Sequence, residues 1–519
     1  MSIMLKSVNF NQVSIDDFIL PFNGKLDEKN RWIVLAGKMP WKEIDEYYAE
    51  KMSEFGRGAF SSRLAFGSCI IKEYCHFSDE ETVQAIAENP YLQYFVGLKE
   101  FTSKALFDAS MMVHFRRRFD VQFVAKVNEY LATGKWPDDS MHPIDSNKPD
   151  DKNDPGEGGG ETPPEAPAES DQENSSKEET AKCQIENHGK LLADATVAPA
   201  DIQYPTDIEL LNDAREILEK AIRLVWEALP SHEGHMLPYS TKRARKCYLS
   251  VAKAKKYRKS LYDRVRGELL KCVEQARKQL EVLLEKKPEG VSFPAWLKQR
   301  LQVIPLLYEQ QKKMYDENTR TVENRIVSLQ QNHVRPINRG KKPNPTEFGQ
   351  KIHLSVVDGF TFIEKISWSN FNESKDLPTI IEEYRRKYNC YPEAVLADRI
   401  YQTRENKNYC KKRNIRLSGL PLGRRNKNLE KQVQEAMYQD SCERNAVEGA
   451  IGVAKRRYGL GKIKEKLRGS AMTAAAFCIL AKNLARVLRD SLRIFLQWLS
   501  KCGFLSLLKG RGPKNKVFQ

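Results

Sequence analysis

The segment from Pro137 to Thr180 constrains the architecture most, because it is unsuited to join a packed core. It holds 14 Asp and Glu residues against 3 Lys, a net charge of −11, and almost no aliphatic side chains. Such a segment buries too little apolar surface to offset the entropy lost on ordering. We therefore predict an acidic disordered linker over 137–181, which separates an N-terminal domain, 1–136, from a larger body, 182–500.

The charge of the whole chain favours a polyanionic partner. The 519 residues include 85 Lys and Arg against 69 Asp and Glu, a formal net charge of +16, and residues 399–519 alone hold 28 Lys and Arg against 8 Asp and Glu. This imbalance indicates nucleic acid as the partner. The most apolar segment, 471–499, carries four basic residues, so we interpret it as an amphipathic helix and expect no membrane partner.

The N-terminus and the cysteines indicate the cellular compartment of the protein. MSIMLKSVNFNQ lacks the basic and apolar regions of a secretory signal, and the ten cysteines include no Cys-x-x-Cys pair. We expect a cytoplasmic protein with reduced thiols.

The N-terminal domain is predicted to be all-helical. Apolar residues in about 30–132 recur at helical spacing, and Ser78 and Glu81 form a capping box. Such a domain could place a helix in a DNA groove, and the run Arg116–Arg118 favours phosphate contact. A helical packing or dimerisation domain, with a solvated basic run, fits the same pattern.

In the body, two apolar runs each lead to an aspartate. KLLADATVAP predicts a core strand that ends at Asp194, and EAVLADRIY predicts another that ends at Asp398. Between them, Asp358-Gly359 predicts a hairpin. The stretch from Thr206 to about Arg320 has helical periodicity throughout, and its segment TKRARKCYLSVAKAKKYRKSLYDRVR could follow a DNA backbone or form a solvated helix face. The pattern predicts an α/β fold.

A third acid lies on a predicted helix. In CERNAVEGAIGVAKRRYGLG, helical spacing places Arg444, Glu448 and Lys455 on one face. The three acids are distant in sequence and can meet through folding. Three carboxylates suit a pair of Mg²⁺ ions about 3.5–4 Å apart, which stabilise the entering and leaving oxygens of an in-line phosphoryl displacement.

These segments resemble a known family. The order of LADATVAP, YPTD, HVRPINRGKKPNPTEFGQK, VLADRIYQTR and RNAVEGAIGVAKRRYGL is similar to that of DDE transposases of bacterial insertion sequences, specifically the IS5 family within the IS4/IS5-like group. The last segment matches an Arg-x3-Glu-x6-Lys spacing at Arg444, Glu448 and Lys455. Ser441 and Ile400 stand where that family has a tyrosine and often a glycine.

The resemblance implies an RNase H-like catalytic core with a helical insertion at about 206–320, a basic tail at 501–519 and an N-terminal all-helical DNA-binding domain. It also implies a catalytic and metal-binding triad of Asp194, Asp398 and Glu448. Two Mg²⁺ ions, or Mn²⁺ in their place, are the implied cofactors.

The function implied is binding of the inverted-repeat ends of a mobile element, phosphodiester hydrolysis and strand transfer into target DNA. We expect a homodimer on DNA, nucleoid-associated in a bacterial cytoplasm. Cations beside the site are expected to hold DNA phosphates; these are Arg444, Lys455, Arg456 and Arg457. A metal-dependent nuclease of the same fold, or a non-catalytic DNA-binding protein derived from a transposase, remain alternatives.

Overall fold

A computed structural model describes eight stretches of the chain: residues 14–21, 24–52, 59–145, 186–231, 234–286, 292–339, 346–419 and 431–501. The chain divides into two compact units. We call the first the sheet unit; it comprises Met1–Ser146, His188–Asp201 and Ile337–Gln519. The second, the insertion unit, comprises Asn147–Asn187 and Ile202–Pro336.

In its described residues, the N-terminal part of the sheet unit forms seven α-helices: α1 Arg31–Ala36, α2 Trp41–Glu50, α3 Ser62–Cys75, α4 Asp79–Glu88, α5 Pro90–Phe95, α6 Met111–Arg118 and α7 Val121–Thr133. The predicted capping box is confirmed at the start of α4. The Glu81 N–H donates to Ser78 Oγ at 3.1 Å, and the Ser78 N–H donates to Glu81 Oε2 at 2.7 Å. Both bonds satisfy donors that a helix N-terminus otherwise leaves without a partner.

One mixed sheet forms the centre of this unit. Its strands are β1 Lys190–Pro199, β2 Arg335–Asn338, β3 Thr346–Val357, β4 Phe360–Ser367, β5 Ala394–Ala397 and β6 Arg416–Leu417. The order is β2-β3-β1-β5-β6, with β4 also paired to β3. β1 is antiparallel to β3 and parallel to β5, and β5 is parallel to β6. The predicted hairpin is confirmed between β3 and β4, where Asp358 and Gly359 both adopt positive φ.

The insertion unit is helical in its described residues. Its helices are α8 Asp207–Glu227, α9 Thr241–Ala252, α10 Lys259–Glu285 and α11 Ala295–Asp316. Thr206 caps α8 by accepting a hydrogen bond from the Glu209 N–H. Apolar side chains at three- and four-residue spacing, such as Leu211, Leu218, Leu269 and Val273, form one buried core.

The remaining helices of the sheet unit cover both faces of the sheet. They are α12 Leu377–Tyr388, α13 Arg404–Lys412, α14 Lys431–Arg457 and α15 Arg468–Lys501. Successive strand residues point to opposite faces. Leu191 and Val395 therefore pack with Ile381 of α12, whereas Leu192 and Leu396 pack with Val447 of α14.

The N-terminal helices, predicted as a separate domain, lie in the same compact unit as the sheet. They pack against α15. The rings of Phe66 and Phe477 have centroids 5.0 Å apart, and Thr473 Oγ1 donates to the Phe119 carbonyl at 2.9 Å. The buried amide of Asn483 donates to Asn128 Oδ1 at 2.8 Å.

Part of the predicted acidic linker is included in this packing. The predicted segment started at residue 137, but Ile144 is buried and its carbonyl accepts a 2.9 Å hydrogen bond from the Ile366 N–H of β4. An apolar side chain that can be buried explains the attachment. The rest of that linker, 146–181, and the predicted basic tail from residue 502 onwards lie outside the described residues.

The part of α15 from Arg468 to Ser491 is long and apolar enough to cross a membrane by length and composition. Of its most apolar stretch, 78% is buried inside the structure. Most of that stretch is thus already covered by protein.

Candidate active site

The register of the sheet brings two of the predicted acids together. β1 and β5 run parallel, and their last matched pair is Ala193 with Ala397. Asp194 and Asp398 are the next residues on the two strands. Because neighbouring strands lie about 4.8 Å apart, these carboxylates are neighbours. Asp194 is two residues after Leu192, and Asp398 is two residues after Leu396. Because residues two apart on a strand point to the same face, both acids lie on the face that packs against α14.

The prediction that Asp194 ends its strand is wrong. Asp194 is the fifth residue of β1, which continues to Pro199, and it lies opposite Leu354 of β3. The residues after it, Ala195 to Ala198, are buried and pair with β3, so nothing ends the strand at the acid. Asp398, in contrast, directly follows β5 as predicted and caps a short 3-10 helix, Arg399–Tyr401.

The third acid lies on α14, the helix that covers this face. Val447 is fully buried against the sheet, and Glu448 follows it with a side chain that is 57% exposed. Arg444, one turn earlier, extends between two acids. Its Nη1 lies 3.9 Å from Asp398 Oδ1 and its Nη2 lies 3.5 Å from Glu448 Oε1. The arginine thus links the sheet acid Asp398 to the helix acid Glu448.

The environment of Asp194 opposes its ionisation. Burial raises the pKa of Asp194, and the nearby negative charges of Glu373 and Asp398 raise it further. A hydrogen bond from the Ala195 N–H to Asp194 Oδ1, at 2.8 Å, and the charge of Arg339 act in the opposite direction. The site therefore concentrates negative charge that an added cation would stabilise.

The donor chemistry of this site suits a divalent metal. Oxygen ligands are those that Mg²⁺ and Mn²⁺ prefer, and Asp194 and Asp398 provide them side by side. Among the described residues, however, no group of three or more His, Cys, Asp or Glu side chains is close enough to hold one ion. In this structure the carboxylate of Glu448 forms an ion pair with Arg444.

A buried polar cluster lies next to Asp398 and was not predicted from the sequence. Tyr401 Oη lies 2.8 Å from His353 Nε2 and donates to Glu373 Oε2 at 3.2 Å. Lys351 Nζ lies 2.9 Å from Glu373 Oε1. Burial strongly raises the pKa of Tyr401, as do the charges of Glu373 and Asp194, so its phenol stays protonated. The Tyr401 N–H also donates to the Asp398 carbonyl, which anchors the turn that carries this acid.

Arg339 is a second residue that sequence reasoning left without a role. Its Nη2 donates to the carbonyl of Ala195, the residue after the first acid, at 3.3 Å, and its Nη1 lies 3.7 Å from Glu347 Oε2. Arg339 and Tyr401 both lie in segments that resemble the transposase family. That resemblance was the feature of the sequence that could have indicated a role for them.

The predicted DNA-binding cations lie along α14 with Arg444. Lys455 is half-buried two turns beyond Glu448, and Arg456 and Arg457 are exposed in the last turn. Arg116, in contrast, is not available for phosphate. It is buried, and its two terminal nitrogens bind the two oxygens of Asp79 at 2.8 Å each, a charge-assisted pair that satisfies its charge inside the protein.

Two parts of the chain match known protein families. Residues 395–485 match the family described as "Transposase DDE domain", and residues 21–118 match "Transposase domain (DUF772)". The first match includes Asp398, Glu448 and Arg444; the second covers α1 to α6. The two matches support a DDE transposase of insertion sequences.

A curated relative gives less functional detail. The chain is 33% identical over 124 residues to "Uncharacterized protein ORF8 in nfe locus" of Rhizobium meliloti. The aligned part is 23% of this chain and spans 60% of the relative's length. No solved structure matches the chain significantly.

Proposed function

We propose that the protein is a DNA transposase of an IS5-family insertion sequence. It binds the inverted-repeat ends of the element, hydrolyses a phosphodiester bond to release a 3′-OH, and directs that hydroxyl at target DNA. The observation that carries the proposal is the register that sets Asp194 beside Asp398 on the face covered by α14, with Arg444 linking Asp398 to Glu448.

The sheet supports an RNase H-like interpretation of the core. Three antiparallel strands, β4, β3 and β1, continue into two strands parallel to β1, namely β5 and β6. In this interpretation the segment 202–336 of the insertion unit interrupts the core between its first and second long strands, β1 and β3.

In the proposed mechanism, Asp194, Asp398 and Glu448 would hold two Mg²⁺ or Mn²⁺ ions. Bound there, the ions would activate the attacking oxygen and stabilise the leaving 3′ oxygen. Arg444 orients Asp398 and Glu448, and the hydrogen bond of Tyr401 to the Asp398 carbonyl fixes the turn behind the site. Lys455, Arg456 and Arg457 bind phosphates of the substrate strand. Two element ends call for at least two catalytic chains, so we propose a homodimer on DNA in a bacterial cytoplasm.

The test uses a donor plasmid that contains the coding region with its native flanking DNA, a target plasmid, and Mg²⁺ or Mn²⁺. The wild-type chain should cut at both flanks and join the cut ends to the target. Asp398→Asn should bind the donor DNA and neither cut nor join. Cutting without joining would instead identify a nuclease, and metal-independent binding without any cutting would identify a non-catalytic DNA-binding protein.

A further inference from the structure

The insertion unit has a strongly basic surface that the proposed catalytic mechanism does not use. From Thr241 to Arg264 the chain contains ten Lys and Arg residues and one acid, Asp263. All ten cations are exposed. We call them the basic surface: Lys242, Arg243, Arg245, Lys246, Lys253, Lys255, Lys256, Arg258, Lys259 and Arg264.

The core of the unit holds this surface in place. On α9, Ala244 is buried, and Cys247, Tyr248 and Val251 pack against the apolar core formed by α8, α10 and α11. These four residues recur at helical spacing and form one face of α9. The cations of α9 consequently lie on the outward faces of a fixed helix.

Elsewhere in the same unit, many cations are neutralised by nearby acids. Lys271 pairs with Glu268 at 3.2 Å, and Lys278 pairs with Glu274 at 3.1 Å. For the ten cations of the basic surface, no carboxylate of the described chain lies within ion-pair distance. The segment contains a single acid, so it cannot neutralise itself. The repulsion between these cations would be relieved by a polyanion.

Several features favour a nucleic-acid backbone as this polyanion. An amphipathic helix that binds a membrane needs an exposed apolar face, whereas the apolar face of α9 is packed in the core. Six of the ten cations are Lys, whose ammonium groups act as point charges toward phosphates. The segment contains no Asn or Gln, the residues that read adenine edges. The α9 helix alone, at 12 residues, extends about 18 Å and could span several phosphates.

We propose that the basic surface binds the sugar–phosphate backbone of duplex DNA without reading its sequence. The choice of DNA over other polyanions rests on the proposed transposase function. The surface adds sequence-independent affinity to the contacts that recognise the element ends, and it holds donor or target DNA on the protein during the reaction.

The experiment measures affinity of the full chain for a fluorescent duplex of random sequence, about 30 base pairs long, in EDTA over a series of NaCl concentrations. The test variant carries Arg245→Gln, Lys246→Gln, Lys255→Gln and Lys256→Gln. The matched control removes four exposed cations elsewhere in the same unit, with Lys271→Gln, Lys278→Gln, Lys298→Gln and Lys313→Gln. Circular dichroism and thermal unfolding establish that both variants are folded.

The test variant should bind about tenfold more weakly, or worse, at about 0.1 M salt. Its plot of log affinity against log salt should be shallower by about 0.9 for each phosphate that the variant no longer neutralises. The control should bind within about threefold of wild type and keep the wild-type slope. Equal weakening in both variants, or tighter binding to duplex RNA than to DNA of the same length, would overturn the assignment.

The same titration separates this proposal from the proposed function. If the wild-type chain bound no DNA, both would fall. If it bound DNA and the test variant matched it in affinity and slope, the basic surface would be excluded as the DNA site, while the catalytic proposal would stand on the plasmid assay.

Discussion

Arg444 holds Glu448, one helical turn further along α14, through a 3.5 Å contact between Nη2 and Oε1. Its other terminal nitrogen reaches Asp398 at 3.9 Å. One guanidinium therefore positions two carboxylates that come from different elements, and the first prediction concerns its removal.

Arg444→Ala should slow strand cleavage by about 10- to 100-fold, because small displacements of reacting groups cost this much. Unfolding free energy should change by at most about 1 kcal/mol, since both acids are largely exposed. The cleavage rate of Arg444→Lys should lie between those of wild type and Arg444→Ala, because an ammonium keeps the positive charge and loses the two-pronged geometry of the guanidinium. Single-turnover cleavage and urea unfolding measure the two effects; an Arg444→Ala chain that cuts at the wild-type rate would remove the positioning role.

Glu448→Gln removes a carboxylate charge with little change of shape. We expect cleavage to fall by about a hundredfold to a thousandfold, in line with the loss of one electrostatic stabiliser from an active site. DNA affinity in EDTA should not fall, since the substitution removes a negative charge. Glu435→Gln, an exposed position on the same helix, is the matched control and should keep full activity. Equal activity of the two variants would exclude Glu448 from the triad.

Tyr401→Phe tests the buried cluster behind the site. The change leaves His353 and Glu373 without the phenol that both contact, so unfolding free energy should fall by about 1–3 kcal/mol. Cleavage should slow as well, measured well below the transition temperature so that every chain is folded. Tyr438→Phe, at an exposed tyrosine of α14, should change neither quantity. Loss of stability with unchanged cleavage would make Tyr401 a purely structural residue.

Gly349→Ala tests the close approach of β3 to β1. A Cβ at this position would clash with the Ala198 carbonyl oxygen and would lie 2.8 Å from Pro199 Cα, and both are backbone atoms that cannot move alone. We expect a loss of about 1–3 kcal/mol in urea unfolding. Gly449→Ala, on α14 with open space at its Cβ, should raise stability by up to about 1 kcal/mol through helix propensity. A stabilising Gly349→Ala would contradict the strand pairing.

The buried side chain of Lys482 should make the free energy of unfolding depend on pH in the alkaline range. Burial, together with the positive charges of Arg486 and Arg489, lowers the pKa of Lys482 from 10.5 to about 8. Between these two pH values the unfolded chain binds more protons than the folded chain, so stability rises with pH. Below about pH 8 both states are protonated and the contribution is constant. The gain reaches at most about 3 kcal/mol above pH 10.5.

Comparison with Lys482→Met isolates this group from other residues that titrate in the same range. The difference in unfolding free energy between wild type and variant should grow in favour of wild type from about pH 8 to 10.5. A difference that stays flat across this range would show that Lys482 has an ordinary pKa.

The parts of the site that local patterns encode were predictable from sequence. An apolar run followed by Asp398 indicated a strand end, and helical spacing placed Arg444 and Glu448 on one face of α14, where they now contact each other. The end of β1 was misjudged because the polar side chain of Asp194 interrupts an apolar run without interrupting the backbone pairing with β3. Strand ends depend on partners, and those are distant in sequence.

The surroundings of the site could not be predicted in this way. His353 and Tyr401 lie 48 residues apart and meet inside the core, and Arg116 meets Asp79 across 37 residues. A basic side chain in a run such as Arg116–Arg118 has no local feature that distinguishes a buried ion pair from a phosphate contact. Whether such a side chain is buried depends on the residue that it meets in the folded chain, and a single sequence does not identify that residue.

The pairing of Pro199 with Gly349 has an evolutionary consequence. The chain leaves β1 and returns to β3 at points that are already side by side, so the 135 residues from Ile202 to Pro336 close a loop whose ends the sheet itself fixes. The entropic cost of closing a loop rises only logarithmically with its length, by about 0.6 kcal/mol for each doubling. Descendants could therefore lengthen, trim or exchange this module with little penalty to the stability of the sheet that carries Asp194 and Asp398.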